Sequence, residues 1–396
     1  MKKIKQYLII SSISLIVSLY LFEGYLTFSD HLSKDQILKE QLYEKQTGNK
    51  WDTRNKLEIY EELKKNNDKT TISIYPYISL RKNYSIFPLS SISNSETINC
   101  NENGYYSIYQ SDRYGFNNPD NQWDKKEIEY LLVGDSYTHG ACVNRPNDIA
   151  SVLRNLSTKS VLNLGIGGNG PLIEYATLRE YLNTKVKKVL WIYYEGNDLE
   201  NIKNEIKNEI KNNILINYIN DLNFTQNLKF KQNEINEFLK KTLIEIEIKI
   251  LNDEINYNKK NKKIKYKILK FIRLNKTKKI IKKPLLNNSE ENNSEEIDNI
   301  KKILTLSRDL VIKNNSKLYF VYLPEYIRYK KTYDNKNYNL VKNIVTELKI
   351  PFIDIHKEVF EKEQNPLKLF PFELYGHYNV DGYKKVAETI YKFTKD

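Results

Sequence analysis

From residue 128 onward, short apolar runs alternate with amphipathic segments, and this alternation constrains the fold more than any other feature of the 396-residue chain. Runs of four to eight apolar residues bounded by turn residues predict strands, and apolar residues at helical spacing predict helices. The predicted strands are 128–133, 160–164, 188–194, 317–323 and 351–355. The predicted helices are 146–156, 172–182, 298–313, 338–348 and 380–393. Alternation of this kind predicts a parallel sheet with helices on both faces.

The N-terminus predicts a membrane anchor. Three lysines within the first five residues precede an apolar run over residues 7–22, and further apolar side chains extend the run toward the length of a spanning helix. Residues 22–25 are too bulky for a signal-peptidase cleavage site. Since lysines stay on the cytoplasmic side, residues 1–28 are expected to form a cytoplasmic tip and transmembrane anchor. The rest of the chain then lies on the extracytoplasmic (periplasmic) side of the cell membrane.

The remaining chain divides by composition. Residues 29–125 are expected to form a stalk and an N-terminal arm that packs on the core, and residues 126–396 the main domain. An insertion at about 200–297 is helical and of low complexity. It is expected to be solvated, with a lid or a membrane-surface contact as the alternatives. The net charge is +13, but Lys, Asn, Ile and Tyr are abundant throughout and no binding motif accompanies the charge, so no nucleic-acid partner is expected.

Gly134-Asp135-Ser136 directly follows the first predicted strand of the sheet. The carboxyl ends of parallel strands are where open α/β sheets place their ligands. A serine hydroxyl at such a position becomes a useful nucleophile only with a base beside it.

Two further blocks also follow predicted strands. The glycine-rich segment 165–170 can bring a backbone N–H close to a reacting oxygen. Its glycine spacing also fits a dinucleotide loop, but Pro171 follows at once and the strand before it is the second of the sheet, so we do not expect a nucleotide. Asn197 comes after the third strand, and its amide can donate to an oxyanion or simply form a turn.

His377, one of four histidines, lies just before the predicted last helix. The four blocks in this order resemble those of the SGNH (GDSL-like) hydrolase superfamily, in particular its membrane-anchored bacterial type. The resemblance extends from about residue 128 to about residue 394, and it implies a three-layer α/β/α (flavodoxin-like) fold. It implies that Ser136 is the nucleophile, that His377 is the general base, and that the oxyanion hole consists of the Ser136 N–H, Gly168 and Asn197. It implies no metal and no organic cofactor.

The sequence departs from the family at the triad acid. Many members carry Asp three residues before the catalytic histidine, where this chain has Leu374. Glu373 and Asp354 are the nearest acidic candidates, and a Ser–His dyad supported by a backbone carbonyl is the alternative. His139 is expected to line the pocket rather than to act as the base, because it follows Ser136 by only one turn.

A segment over residues 111–123 resembles one that precedes the serine strand in many membrane-anchored members of the superfamily. Arg113 and its aromatic neighbours can contact a sugar ring or can pack the arm on the sheet. Cys100 and Cys142 can form a disulfide in an exported protein, or can remain as buried thiols. They do not form a metal motif.

The resemblance and the expected location together imply a serine esterase acting outside the membrane. It would remove acyl groups, most simply acetyl, from a polysaccharide or another envelope glycan. Two alternatives stay open from the sequence. One is an O-acyltransferase that uses the same acyl-serine, and the other is a non-catalytic glycan-binding or assembly protein with the same fold.

Overall fold

The computed structural model describes residues 2–29, 34–81, 85–209, 214–261, 271–278 and 294–395. Part of the predicted insertion, residues 210–213, 262–270 and 279–293, lies outside the described residues. The chain divides into two compact units. The small unit comprises Met1–Leu38 with Ile244–Asn292, and the large unit comprises Lys39–Leu243 with Asn293–Asp396.

The helices and strands have the following bounds. The helices are α1 (Lys2–Ser29), α2 (Lys34–Thr47), α3 (Lys56–Lys64), α4 (Ser136–His139), α5 (Ile149–Ser157), α6 (Pro171–Tyr181), α7 (Asp198–Glu209), α8 (Ile214–Asn220), α9 (Gln232–Asn261), α10 (Ser294–Lys313), α11 (Lys336–Glu347), α12 (Ile355–Glu358) and α13 (Val380–Thr394). The strands are β1 (Thr70–Ile72), β2 (Glu96–Ile98), β3 (Ile108–Gln110), β4 (Ile128–Gly134), β5 (Val161–Asn163), β6 (Val186–Tyr194), β7 (Lys317–Leu323) and β8 (Phe352–Asp354). Short 3₁₀ helices lie at Pro76–Arg81, Asp120–Asp124, Leu228–Phe230, Tyr326–Tyr329, Phe360–Lys362, Pro366–Leu369 and Pro371–Glu373.

The small unit contains α1, the one helix in the described part of the chain that is long and apolar enough to cross a membrane. The apolar stretch is Ile4–Leu26, 23 residues with a mean hydropathy of 1.7. At 1.5 Å per residue, 23 residues exceed the ~30 Å thickness of a bilayer's hydrocarbon core. Length and composition are therefore those of a membrane span.

The large unit is built on a five-stranded sheet in the order β5-β4-β6-β7-β8, and each neighbouring pair is parallel. In chain order the strands run 2-1-3-4-5, which is the doubly wound, flavodoxin-like arrangement. The order reverses at β4, so the carboxyl end of β4 lies at the topological switch point where such sheets form their crevice. The predicted three-layer α/β/α fold is confirmed.

The two faces of the sheet belong to two separate cores, because side chains alternate along a strand. On β4, Leu131 and Val133 join one core with residues of α6, α7, α10 and α11. Tyr130 and Leu132 point to the other face and pack with residues of α5 and α13. Helices therefore cover both faces. β4 and β5 are buried along their whole length, and β6 and β7 are buried except for one lysine near the start of each, as near-continuous apolar runs require.

The N-terminal arm, here residues 39–125, is part of the large unit. Side chains from α3, the small sheet β1–β3 and the connecting loops share the core of the Leu131 face, for example Ile59, Phe87 and Phe116. Asp112, fully buried, accepts hydrogen bonds from Asn118 Nδ2 at 2.9 Å and Trp123 Nε1 at 2.8 Å. Asn118 in turn donates its Nδ2 to the Asn163 carbonyl on β5 at 2.9 Å and accepts the Asn163 N–H at 2.8 Å. The arm is thus fixed to the sheet by both apolar packing and buried hydrogen bonds.

Candidate active site

Ser136 begins α4 directly after β4, at the carboxyl edge of the sheet. A Cβ on Gly134 would lie 2.1 Å from Thr138 Oγ1 and 2.6 Å from the Ile192 carbonyl oxygen. Only glycine fits this tight turn against β6. Asp135 caps the short helix by accepting the Tyr137 N–H at 2.8 Å. Strand, turn and cap together place the Ser136 hydroxyl in the crevice.

His377 contacts this hydroxyl from the loop before α13. The distance from Ser136 Oγ to His377 Nε2 is 2.9 Å. This is the hydrogen-bond distance expected between a nucleophile and its base. The neighbouring residues hold the imidazole in place. Tyr378 is fully buried and donates its hydroxyl to the Pro324 carbonyl at 2.6 Å, and Asn379 caps α13 by accepting the Gly382 N–H at 2.9 Å.

Glu102 completes the chain of hydrogen bonds, and it comes from the N-terminal arm. Its Oε1 lies 3.0 Å from His377 Nδ1, and its Oε2 accepts the backbone N–H of His377 at 2.6 Å. A carboxylate that bonds Nδ1–H leaves the lone pair of Nε2 directed at the serine. Glu102, His377 and Ser136 therefore have the geometry of a catalytic triad.

Glu102 and His377 each stabilise the charged form of the other. Burial disfavours the imidazolium, but the charge of Glu102 and its hydrogen bond outweigh that and raise the pKa of His377 above its ordinary value. Burial likewise disfavours the carboxylate, yet His377 holds the pKa of Glu102 below its usual range. The pair thus favours the ionic form that arises when the serine loses its proton.

The two acids that the sequence suggested lie elsewhere. The Glu373 carboxylate accepts from Asn365 Nδ2 at 3.0 Å and is exposed. Asp354 caps α12 and accepts the Tyr338 hydroxyl at 2.5 Å. Neither has a contact with His377 in the described structure. The geometry favours Glu102, because its carboxylate contacts both the ring Nδ1 and the backbone N–H of His377.

A disulfide between Cys100 and Cys142 holds the loop that carries Glu102. The same loop is fixed by Asn103 Nδ2, which donates to the Cys142 carbonyl at 2.9 Å, and by Asn101 Nδ2, which donates to the Asp52 carbonyl at 2.9 Å. Cys142 Sγ lies within 4.8 Å of ligand-type atoms of Glu102 and His377. A disulfide sulfur is not the thiolate that a metal ion needs, so this cluster fits a triad rather than a metal centre.

The two other predicted oxyanion-hole residues, Gly168 and Asn197, lie in the turns that follow β5 and β6. Gly168 has φ +75°, and a Cβ there would lie 2.4 Å from the Tyr77 ring, so glycine suits this turn after β5 on both counts. Asn197 Nδ2 donates to Asp135 Oδ2 at 3.3 Å. An amide nitrogen has two hydrogens, and the second is available for a substrate oxygen.

Three carboxyl groups in the serine turn and in the helices after the other two turns are buried. Asp135, Glu174 and Asp198 are all fully buried. Burial raises the pKa of Asp135, and burial together with the neighbouring carboxyls raises the pKa values of Glu174 and Asp198 well above the ordinary range. Neither oxygen of Glu174 has a hydrogen-bond partner in the described structure. Like charges in a low dielectric favour the protonated form.

His139 and Arg113, the two residues predicted to contact the substrate, both have partners within the protein. His139 is buried, its Nδ1 lies 3.2 Å from the Gly165 carbonyl, and burial lowers its pKa to about 4. The Arg113 guanidinium forms ion pairs with Asp120 at 2.7 Å and Asp124 at 2.8 Å. In the arrangement seen here, the Arg113 guanidinium is bound by two carboxylates, and the imidazole of His139 is shielded from solvent.

Two exposed tyrosines lie at the edge of the site. Tyr77 is 46% exposed, and its ring packs on Gly168 of the predicted oxyanion hole. Tyr375 is 61% exposed, precedes His377 by two residues, and packs its ring edge-on against Tyr326 at 5.9 Å. Two tyrosine rings are therefore partly open to solvent, one against Gly168 and one two residues before His377.

Sequence reasoning missed Glu102 and Tyr77, although one signal for Glu102 was present. Cys142 follows Ser136 by six residues, so pairing it with Cys100 brings the arm to the serine turn. An acid two residues after Cys100 then becomes a candidate for the triad. No comparable signal marks Tyr77, because its place beside Gly168 depends on how the arm packs.

No protein-family model matches the sequence, and no curated protein matches it. The chain is similar to a lipolytic protein of the G-D-S-L family from Desulfitobacterium hafniense DCB-2, with 12% identity, a TM-score of 0.35, and coverage of 67% of this chain and 99% of that one. It is also similar to a member of the lipolytic G-D-S-L family from Veillonella parvula DSM 2008, with 12% identity, a TM-score of 0.36, and coverage of 68% and 100%. A third is Axe2, an acetylxylan esterase from Geobacillus stearothermophilus, with 13% identity, a TM-score of 0.34, and coverage of 69% and 97%. At these identities and TM-scores the three proteins do not indicate what this chain does. Its activity is inferred from the geometry of the site.

Proposed function

We propose that the protein is a serine esterase that acts through an acyl-Ser136 intermediate. The observation that carries the proposal is the continuous hydrogen-bonded line from Ser136 through His377 to Glu102, with distances of 2.9 Å and 3.0 Å. A nucleophile bonded to a base, and a base oriented by an acid, is the signature of an activated serine. The position of this line at the switch point of the sheet is where a substrate crevice is expected.

In the first half of the reaction, His377 Nε2 takes the proton of Ser136 while Oγ attacks the ester carbonyl. The carbonyl oxygen becomes an oxyanion, which accepts hydrogen bonds from the N–H groups of Ser136 and Gly168 and from the amide of Asn197. When the intermediate collapses, the bond to the alcohol breaks and His377 gives its proton to the leaving oxygen. Glu102 stabilises the imidazolium throughout.

In the second half, water takes the place of the alcohol. His377 removes a proton from water, the hydroxide attacks the acyl-serine, and collapse of the second intermediate releases the carboxylic acid and restores the Ser136 hydroxyl. An acceptor sugar in place of water would make the same steps an acyl transfer.

We further propose that the substrate is an acylated glycan, with acetyl as the simplest acyl group. The exposed rings of Tyr77 and Tyr375 support this, because an aromatic face beside the nucleophile suits the apolar face of a sugar ring. The apolar helix α1 supports a location at the outer face of the cell membrane, where envelope glycans are found.

A fluorophosphonate probe tests the activated serine. We expect an adduct on Ser136 by mass spectrometry, and hydrolysis of p-nitrophenyl acetate that falls by on the order of 10⁶-fold in Ser136→Ala. Ser157→Ala, at the end of α5 and outside the site, is the matched control and should keep full activity. A folded protein with no adduct and no turnover would overturn the esterase proposal. Adding an acetyl donor with an oligosaccharide acceptor then separates hydrolysis from transfer.

A further inference from the structure

Glu23 is the one acidic residue within the apolar stretch Ile4–Leu26, and it is only 1% exposed. Its carboxylate accepts three hydrogen bonds from a short segment of the predicted insertion. The donors are the Lys276 N–H at 3.0 Å, the Thr277 N–H at 2.8 Å and the Thr277 hydroxyl at 2.8 Å. A carboxylate in a membrane span is costly unless its oxygens are satisfied, and this segment satisfies them.

Further contacts join the same segment, residues 271–278, to the last turns of the span. The Tyr20 hydroxyl donates to the Ile272 carbonyl at 3.0 Å, and the Tyr20 and Phe271 rings lie 5.8 Å apart. The Lys276 ammonium donates to the Leu26 carbonyl at 3.0 Å. Segment 271–278 therefore lies along α1 over the turns from Tyr20 to Leu26, and all of these contacts belong to the small unit.

The position of Glu23 sets the depth of this segment. It precedes the end of the apolar stretch by three residues, or about 4.5 Å along a helix. That depth is the boundary between hydrocarbon and headgroups, where amphipathic segments bind and where tyrosine is enriched. With the N-terminal lysines in the cytoplasm, the boundary is the one on the extracytoplasmic side.

We propose that residues 271–278, docked on Glu23, form a second membrane contact that binds the headgroups of anionic phospholipids. Ile272 is 53% exposed and can enter the acyl boundary, while the exposed side chains of Arg273 and Lys278 can reach lipid phosphates. The surrounding sequence has the matching charge, since residues 259–283 contain 13 Lys or Arg and no Asp or Glu. Basic clusters at the end of a span bind anionic headgroups in this way.

A fluorophore at position 272 tests the proposal in the full chain. The two native cysteines form a disulfide, so Ile272→Cys offers a single free thiol for an environment-sensitive dye. Phe230→Cys, at an 88% exposed position of the large unit, is the control. In phosphatidylcholine vesicles with added phosphatidylglycerol, we expect blue-shifted emission and quenching by brominated lipids at 272 only. Equal, water-like emission at both positions would overturn the proposal.

Two sets of variants separate docking from charge. Glu23→Ala should abolish the blue shift at 272 and speed tryptic cleavage after Arg273, because the segment loses its acceptor and no longer lies along α1. Arg273→Gln with Lys278→Gln should keep the docking but reduce the difference at 272 between vesicles with and without phosphatidylglycerol. A difference as large as in the wild type would overturn the assignment of the anionic headgroups to these two side chains.

Alkaline carbonate extraction checks the premise. If wild-type protein leaves the vesicles, α1 is not a membrane span and the proposal falls. Esterase activity on p-nitrophenyl acetate, measured on the same vesicles, reports the proposed function separately. Glu23→Ala should leave that activity unchanged while it loses the contact at 272.

Discussion

The core of the large unit and its N-terminal arm contribute to the site in different ways. The core supplies Ser136 and His377, each next to a regular element, at the end of β4 and before α13. The arm supplies Glu102 and Tyr77 from loops between short elements. Residues at strand ends converge because the parallel sheet brings those ends together. Residues of the arm reach the site only because the disulfide, the hydrogen bonds of Asp112 and apolar packing hold the arm in place.

The comparison implies that the core holds the nucleophile and base in place on its own, whereas the arm determines how well the base works. Variants of the arm should therefore change rate and specificity more than they change the fold of the sheet.

Replacing Glu102 with Gln should have the largest effect among the arm variants. The amide keeps the size of the side chain but cannot stabilise an imidazolium, and a similar loss of the acid lowers kcat by about 10³–10⁴-fold in serine hydrolases. Glu373→Gln is the matched control, since Glu373 is close to His377 in sequence but its carboxylate accepts from Asn365 instead. Steady-state hydrolysis of p-nitrophenyl acetate measures both. A larger loss in Glu373→Gln would show that the core carries the whole triad.

The same variant should shift the pH dependence of the residual activity. His377 must be neutral to accept the serine proton, so activity rises as the pH passes through its pKa. Glu102 raises that pKa against the opposing effect of burial. Removing the charge should therefore move the acid limb of kcat/KM to lower pH in Glu102→Gln. An acid limb that stays in place, or moves to higher pH, would contradict the assigned electrostatic role of Glu102.

Removing the disulfide should affect stability first and rate second. Cys100 and Cys142 close a loop with a sequence separation of 42 residues, and loss of such a crosslink lowers the unfolding free energy by about 2–5 kcal/mol. We expect Cys100→Ser with Cys142→Ser to show that loss in urea titrations. Its kcat should fall by about 10–10²-fold, because Glu102 remains but is held less closely.

Dithiothreitol provides the control for the disulfide variant. Reduction should bring the wild type to the level of the double variant and should leave the double variant unchanged. Full activity in the reduced wild type would mean that Asn101 and Asn103 are sufficient to hold the loop, and that the disulfide serves stability alone.

The difference between the core and the arm also explains which elements could be predicted from the sequence. The strand predicted at 317–323 is observed with the same bounds as β7, because a run of buried residues between turn residues defines it. The helix predicted from 146 begins instead at Ile149, because the side chain of Asp148 caps it by accepting the Ser151 N–H at 2.9 Å. Regular elements are local, so periodicity and caps locate them to within a few residues.

The site was predictable only in part for the same physical reason. Ser136 and His377 follow recognisable local patterns, and their convergence follows from the sheet. Glu102 bonds a residue 275 positions away, and nothing periodic in the arm points to it. The docking of Lys276 and Thr277 on Glu23 is equally non-local, since these residues are 253 and 254 positions from Glu23. Such contacts depend on how irregular loops pack.

A smaller and more selective effect is expected at Tyr77. If its ring binds a sugar, Tyr77→Ala should lower kcat/KM for an acetylated oligosaccharide by about tenfold, a loss of ~1.4 kcal/mol of binding. The rate with p-nitrophenyl acetate should stay the same, because that ester is too small to reach the ring. Tyr77→Phe keeps the aromatic face and should behave like the wild type. Equal losses on both substrates would instead mean that the ring supports Gly168.

The smallest effect is expected in the core itself, at Glu174. Burial and the neighbouring carboxyls raise its pKa, so the folded state holds a proton that the unfolded chain releases above the ordinary glutamate range. Folding stability therefore falls as the pH rises through that window, by at most ~1.4 kcal/mol per pH unit for one group. Glu174→Gln removes this titration, and its unfolding free energy relative to wild type should rise by about 1 kcal/mol from about pH 5 to about pH 8.

Glu180 offers the matched control, because it lies on the same helix and its oxygens are satisfied. They accept hydrogen bonds from the Tyr218 and Thr225 hydroxyls and from the backbone N–H groups of Gln226 and Leu228. Glu180→Gln should destabilise the protein at both pH values, since an amide nitrogen cannot accept these bonds. If both variants instead lose the same stability at every pH, Glu174 is satisfied by water, and the core tolerates its carboxyls as ordinary buried hydrogen-bonding groups.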